Sequence, residues 1–361
     1  MADYAYTNAR IRAMQGRLFN RAGYESLLAQ PTLTDALDAL TRSTSAVVPD
    51  LKSGTDLKSV PIIMDEALRQ DLVLSLSKLR RITSDRARDL LGLLLLRWDA
   101  YNLKTVLRGK RAHAPTEEVL TSTLPVGWLD EVALAELTRV TTLRATADTL
   151  ETWRSPLARP FRDGLRALGE SDDLQLLEFA LDRFAFARAF RAVAEDGDND
   201  CVVRDYLRLL VDKANFLTAL RYLYERSALS GEPIALQFAR GHEAGRHFLN
   251  VGSRFTRAHY DAVAGARDAR HAMALPADTP IRRLAGAFPE GDAPALPRIE
   301  RTLDRALLHA AVGLSHSDPL GIGVAVAYVE QKVNEVRNLR MILRGKAFGM
   351  GAEQIHEWLI V

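Results

Sequence analysis

Trp98-Asp99-Ala100-Tyr101-Asn102-Leu103-Lys104-Thr105-Val106-Leu107-Arg108 is written three times in this chain. The second copy is Asp212-Lys213-Ala214-Asn215-Phe216-Leu217-Thr218-Ala219-Leu220-Arg221, and the third is Glu335-Val336-Arg337-Asn338-Leu339-Arg340-Met341-Ile342-Leu343-Arg344. Each carries an acid, Asn three residues on, an apolar residue next, and Leu-Arg at its end. The acids stand 113 and 123 residues apart, a period of about one third of the chain. The first and third copies also share Leu-Arg-Gly-Lys, at 107–110 and 343–346.

A second motif keeps step with the first. Asp65-x-x-Leu68, Glu178-x-x-Leu181 and Glu300-x-x-Leu303 precede the three acids, the leucines by 31, 31 and 32 residues. Two motifs holding their spacing through three copies mark a triplication. It divides the 361 residues into repeats at 1–112, 113–230 and 231–361, each of a common domain size.

The repeated stretch reads as one long helix. Thr83 or Ser84 is placed to cap it, Asp85 and Asp89 suit its positive end, and Lys104, Arg108 and Lys110 its negative end. Gly109 is expected to stop it. From Leu90 to Leu107 apolar residues cover nearly every face, the pattern of a helix buried all round. Helices are also expected at Tyr6–Met14, Thr32–Leu40, Pro61–Arg81 and Leu174–Ala194, with short ones between Gly127 and Leu168. Pro49–Pro61 and the proline-rich stretch from Pro276 to Pro297 read as loops. Asp318-Pro319 reads as a helix cap followed by Pro at the first helical position, with Gly345 and Gly349 ending the last long helix. Alternation of period two never persists, so the fold class is all-α.

Composition narrows the function. Hydrophobic residues are 47% and charged residues 26%, as in ordinary globular proteins, and the net charge is only +2. That balance speaks against nucleic acid, whose binders need a basic face. Cys201 is the single cysteine, so no intramolecular disulfide forms. Met1-Ala2-Asp3-Tyr4 opens no signal peptide, and Leu90–Leu96 is far shorter than a membrane-spanning helix.

Motifs for chemistry fail on inspection. His242 and His247 lie five apart, not the four that put two zinc ligands on one helical face. Asp196-Gly197-Asp198-Asn199-Asp200 opens like a calcium loop, but Cys201 and Leu207 occupy its Gly and Glu positions. Gly321-Ile322-Gly323 lacks the third glycine and preceding strand of a dinucleotide fingerprint. Asp172-Asp173 lacks a further spaced carboxylate. No cofactor, metal or small-molecule substrate is expected, although an enzyme site assembled from scattered residues such as His259, His271 and Asp268 stays open.

The candidates for function are the repeated polar residues themselves. Asp99/Asn102, Asp212/Asn215 and Glu335/Asn338 sit at i and i+3, on one stripe of an otherwise apolar helix, and need partners there. Two readings stand side by side. Either each pair is satisfied inside its own repeat, or the three pairs line a pseudo-threefold surface that binds a partner. Arg108, Arg221 and Arg344 are expected on the opposite side, solvated or partnering the helix's negative end.

Three helical repeats carrying acid-x-x-Asn-Leu/Phe resemble the C subunit of the V-type (archaeal and bacterial V/A-type) ATPase, the relative of the eukaryotic d subunit. Tyr6-x-Asn8-Ala9-Arg10-Ile11-Arg12 and the stretch from Asp318-Pro319-Leu320-Gly321 to Met350 resemble that family at the two ends, so the likeness covers essentially the whole chain. It implies three similar helical domains in a pseudo-threefold, funnel-shaped arrangement. It further implies a non-catalytic rotor subunit on the cytoplasmic face of a membrane complex, receiving the central shaft subunits D and F and resting on the proteolipid ring. A free-standing helical-repeat scaffold for soluble partners is the alternative.

Overall fold

The computed structural model describes residues 4–43, 60–83, 85–171, 174–193, 197–228, 248–274 and 295–361. The expected loops at 49–59 and 276–294, the Asp172-Asp173 pair and the His242–His247 motif lie outside them, as does Ser84. The described residues form sixteen helices and no strand, as the patterning predicts.

Two compact units divide the chain. The first takes both ends, Met1–Leu91 and Leu308–Val361. It contains α1 (Tyr4–Gln15), α2 (Arg21–Leu28), α3 (Leu33–Ser43) and α4 (Val60–Ile82). From the other end come the last long helix, α15 (Gly323–Ala347), and α16 (Ala352–Trp358). α15 is the centre of this unit, packed against α4, α1, α3 and α2. The run Gly323-Val324-Ala325-Val326-Ala327-Tyr328-Val329 is buried without a break, so this helix has no solvent face over its first two turns.

The second unit is Gly92–Leu307. It holds most of α5 (Asp85–Ala112), then α6 (Thr116–Thr121), α7 (Glu131–Arg139), α8 (Leu143–Thr152), α9 (Ala158–Ser171) and α10 (Leu174–Ala192). Next come α11 (Asp198–Ala228), α12 (Arg257–Ala264), α13 (Ala269–Ala274) and the greater part of α14 (Leu296–Ser317). Leu103, Val106 and Leu107 of α5 share one core with Leu134 and Leu137 of α7, Phe161 of α9, and Leu177 and Leu181 of α10. The repeated helix is thus buried against the shorter helices downstream of it.

Three helix ends differ from expectation. α5 does not stop at Gly109 but runs to Ala112, and His113 ends it in the left-handed region at φ 53°. Gly109 is instead a crossing point, since a Cβ there would overlap Val119 of α6. Gly345 does the same in α15, where a Cβ would overlap Ile355 of α16. The stop is Gly349 at φ 70°, fourteen residues after Glu335 as His113 is after Asp99. The third departure is Asp318-Pro319, which forms a turn rather than the helix start. Asp318 accepts from the Leu320 amide, and α15 begins only at Gly323.

Candidate functional site

The three acid–Asn pairs occupy equivalent places. Asn102 grips one backbone unit at both ends: its Nδ2 donates to the Leu124 carbonyl and its Oδ1 accepts from the Leu124 amide, both at 2.7 Å. Asn215 does the same to Leu249, at 3.1 and 2.7 Å, and Asn338 to Ile360, at 2.8 and 3.1 Å. An amide side chain carries a donor and an acceptor side by side, so it can meet the N–H and C=O of one residue together.

The acids hold the next few residues. Asp99 accepts from the Trp128 and Leu129 amides, both at 2.9 Å. Asp212 accepts from the Arg254 amide at 3.2 Å and from the Ser253 and Tyr260 hydroxyls. Glu335 accepts from the Phe19 amide at 2.7 Å and from the Lys332 ammonium. Leu124-x-Val-Gly127 and Leu249-x-Val-Gly252 are therefore one loop written twice. In the third copy the same loop is assembled from both parts of the chain, Ile360 meeting the Asn and Phe19 the acid.

Each held loop leads into a short helix with its own cap: Asn20 before α2, Asp130 before α7 and Thr256 before α12. A second cap stands twelve residues later in every copy. Thr32 accepts from the Asp35 amide, Thr142 from Ala145 and Asp268 from His271. These polar caps twelve apart form a third register in the sequence, beyond the two motifs that mark the triplication. His259 bonds to Thr256 at the start of α12, so the scattered residues named for an enzyme site are helix-end residues here.

The shared Leu-Arg-Gly-Lys completes the frame. Lys110 donates to the Thr138 and Val140 carbonyls at the end of α7, and Lys346 to those of Leu28 and Gln30 at the end of α2. One long helix thereby grips its short neighbour at both ends. Burial lowers the pKa of both lysines. Arg108 pairs with Glu178 and Arg344 with Asp65, the acids of the second register. These arginines are paired, and not merely solvated as helical phase alone predicts. Each of these pairs joins the arginine of one copy to the second-register acid of another.

A lysine on each long helix also reaches an aspartate on a packed neighbour: Lys104 to Asp182, Lys213 to Asp304 and Lys332 to Asp71. Helix partners therefore keep a cyclic order. The long helix of the first repeat takes the upstream helix of the second, the second that of the third, and the third that of the first. The two end segments that carry the family likeness also meet. Asn8 donates to the Gly321 carbonyl at 3.0 Å and Arg12 to that of Pro319 at 3.2 Å.

All six pair residues are 0–4% exposed and have hydrogen-bond partners within the chain. That burial leaves at most 4% of any one of them for direct contact with a partner. The reading in which each pair is satisfied internally fits the hydrogen bonds, with one change. In the first two copies the bonded loop lies downstream of the long helix, beyond the boundaries at 112 and 230, while in the third Phe19 comes from the other end of the chain. What the frames leave exposed is apolar in places: Trp128 (45%), its ring tilted at 53° to that of Trp153, and Val132 in one, Phe348 in another.

Among the described residues no helix is long and apolar enough to cross a membrane. A family model described as ATP synthase (C/AC39) subunit matches residues 7–358. A V-type ATP synthase C subunit from Thermus thermophilus is 31% identical over 362 residues, covering 99% of this chain and 98% of that one. An A-type ATP synthase C subunit from Methanosarcina acetivorans is 28% identical over 364 residues, covering 100% and 93%. One from Halobacterium salinarum is 28% identical over 379 residues, covering 100% and 98%. Matched along nearly its full length, and carrying the buried frame in three copies, the chain belongs to the ATP synthase (C/AC39) subunit family.

Proposed function

We propose that this chain is the non-catalytic central-stalk subunit of an A/V-type rotary ATP synthase, turning with the rotor between the shaft and the membrane proteolipid ring. The observation that carries the reading is the full-length family match, since the relatives bear the name of an ATP synthase subunit. In this role it sits peripherally on the cytoplasmic face, with shaft subunits D and F on one side and the ring on the other. The family resemblance implies three similar modules in a funnel, an arrangement that would suit the task.

A torque coupler has to resist shear. Long helices with apolar faces buried in the core, crossed at glycine contacts and in two copies tied at both ends of a short neighbour, give stiffness without a catalytic group. The pair residues act in this reading by position: they fix the loops, and partner contact falls to the residues the loops display, Trp128 among them. The free-standing scaffold has no observation in its favour beside family membership.

Reconstitution tests the proposal. A complex assembled without this chain is expected to hydrolyse ATP while moving no ions across vesicle membranes, and adding the chain back is expected to restore transport. Ion transport that is equally fast without it would contradict the proposal.

A further inference from the structure

The three frames differ in how they neutralise their acid. Asp99 has a backbone amide on each carboxylate oxygen. Glu335 has the Phe19 amide on Oε1 and the Lys332 ammonium on Oε2. Asp212 places all three of its donors, the Ser253 and Tyr260 hydroxyls and the Arg254 amide, on Oδ1. Its Oδ2 is buried and accepts no hydrogen bond. A carboxylate shares its charge between both oxygens, so a buried oxygen with no protein donor makes the ionised form costly.

The second frame is also the one with the fewest ties. Leu223 stands where Lys110 and Lys346 hold helix ends in the others, and no ion pair joins Arg221 to Glu300 among the described residues. The titratable and charged groups that act on Asp212, beside the Ser253 hydroxyl, are Tyr260 of α12 and Arg254 of the held loop, whose guanidinium is engaged by Asp205. On α11 itself Lys213 is committed to Asp304 of α14, and Arg208 to Asp205. α13 brings Asp268 and His271, which bond to each other at its exposed start, and α10 brings Arg183, which donates to the Phe179 carbonyl. Arg254 is the cation that favours the ionised carboxyl among the described residues, and it shares its guanidinium with Asp205.

We propose that Asp212 is a proton-binding site: a proton from solvent adds to Oδ2 while the loop 248–256 is closed, and its departure loosens that loop. The protonated carboxyl removes the buried charge and keeps Oδ1 as acceptor for its three donors. Burial, acting first and against those hydrogen bonds, pushes the Asp212 carboxyl above the ordinary aspartate range. The folded state then holds the proton more tightly than the unfolded chain does. The stability linked to this group is full at low pH and is lost as pH rises through the raised value. The proposal does not rest on the rotor reading.

Carbon-13 titration of the full-length chain labelled at aspartate carboxyls tests it, with Asp212→Asn identifying the resonance. The expected midpoint lies clearly above the ordinary value of about 3.9. Tyr260→Phe, which removes a donor to Oδ1, is expected to raise it further, and serves as the identifying variant if Asp212→Asn does not fold. Hydrogen exchange over 248–256, corrected for base catalysis, is expected to speed up through the same pH range in the wild type and not in Asp212→Asn. A midpoint at or below the ordinary value overturns the proposal, as does equal exchange in the two proteins.

Discussion

Replacing Asn102 with Leu keeps the volume and removes both hydrogen bonds to Leu124. Asn102 is fully buried, and its two contacts at 2.7 Å are the partners of one amide and one carbonyl. Leaving a buried backbone group unpaired costs about 1–3 kcal/mol. Leu124 is only partly buried, so water relieves a share of this, and the sum falls at about 2–4 kcal/mol. For a unit of some 200 residues each kcal/mol moves the melting midpoint by about 2–4 °C, which predicts a fall of about 5–12 °C by circular dichroism. Asn215→Leu and Asn338→Leu remove the same two-bond grip and are expected to fall in the same band. A fall below about 2 °C in all three would refute the idea that these amides hold the frames together, and would reopen direct partner contact.

The glycine contacts and the ion pairs carry further expectations. Gly109→Val drives a side chain into Val119 and should cost about 1–3 kcal/mol in denaturant melts, while Gly92→Ala, exposed and with open space, should gain about 0.5–1 kcal/mol. His113→Gly should stabilise by about 0.5–1 kcal/mol, because the left-handed residue no longer carries a Cβ. Lys332→Met strands Glu335 and Asp71 and should cost about 3–5 kcal/mol, whereas Arg108→Met, at an exposed guanidinium, should cost under about 1 kcal/mol. Burial opposes the charge on Lys332, yet Glu335 and Asp71 prevail and hold its pKa above the ordinary value. Its contribution is therefore complete below the ordinary lysine range and lost as pH rises through the raised one, so the difference from Lys332→Met should be flat near neutrality and shrink only at alkaline pH.

The helices and their triplication are legible in the sequence because burial imposes a period on side chains. Asp99 and Asn102 stand out on an apolar helix, and their recurrence at 212/215 and 335/338 marks a frame. Their partners are harder to read, because Leu124, Leu249 and Ile360 contribute backbone amides and carbonyls, and only the short Leu-x-Val-Gly echo at 124–127 and 249–252 marks two of them. Gly109 shows the ambiguity of glycine. A stop and a close helix crossing want the same missing Cβ, and only the position of Val119 separates them. Arg108 and Arg344 escape a reading by phase, because helical phase says which way a side chain points, not which helix waits there. The register of Asp65, Glu178 and Glu300 holds the answer, since an acid that keeps step with an arginine is a candidate partner for it. The caps at Asn20/Thr32, Asp130/Thr142 and Thr256/Asp268 are open to the same spacing test.

Covalent attachment separates a rotor from every stationary role. With Cys201 replaced by Ser, single cysteines allow this chain to be cross-linked either to the proteolipid ring or to a subunit of the stationary part, and coupled ATP turnover is then measured on the assembled complex. A part that turns with the ring loses nothing when fastened to it and stops the machine when fastened to the stator. Turnover preserved by the first link and abolished by the second is the predicted result. Turnover abolished by the link to the ring, or surviving the link to the stator, would contradict the account.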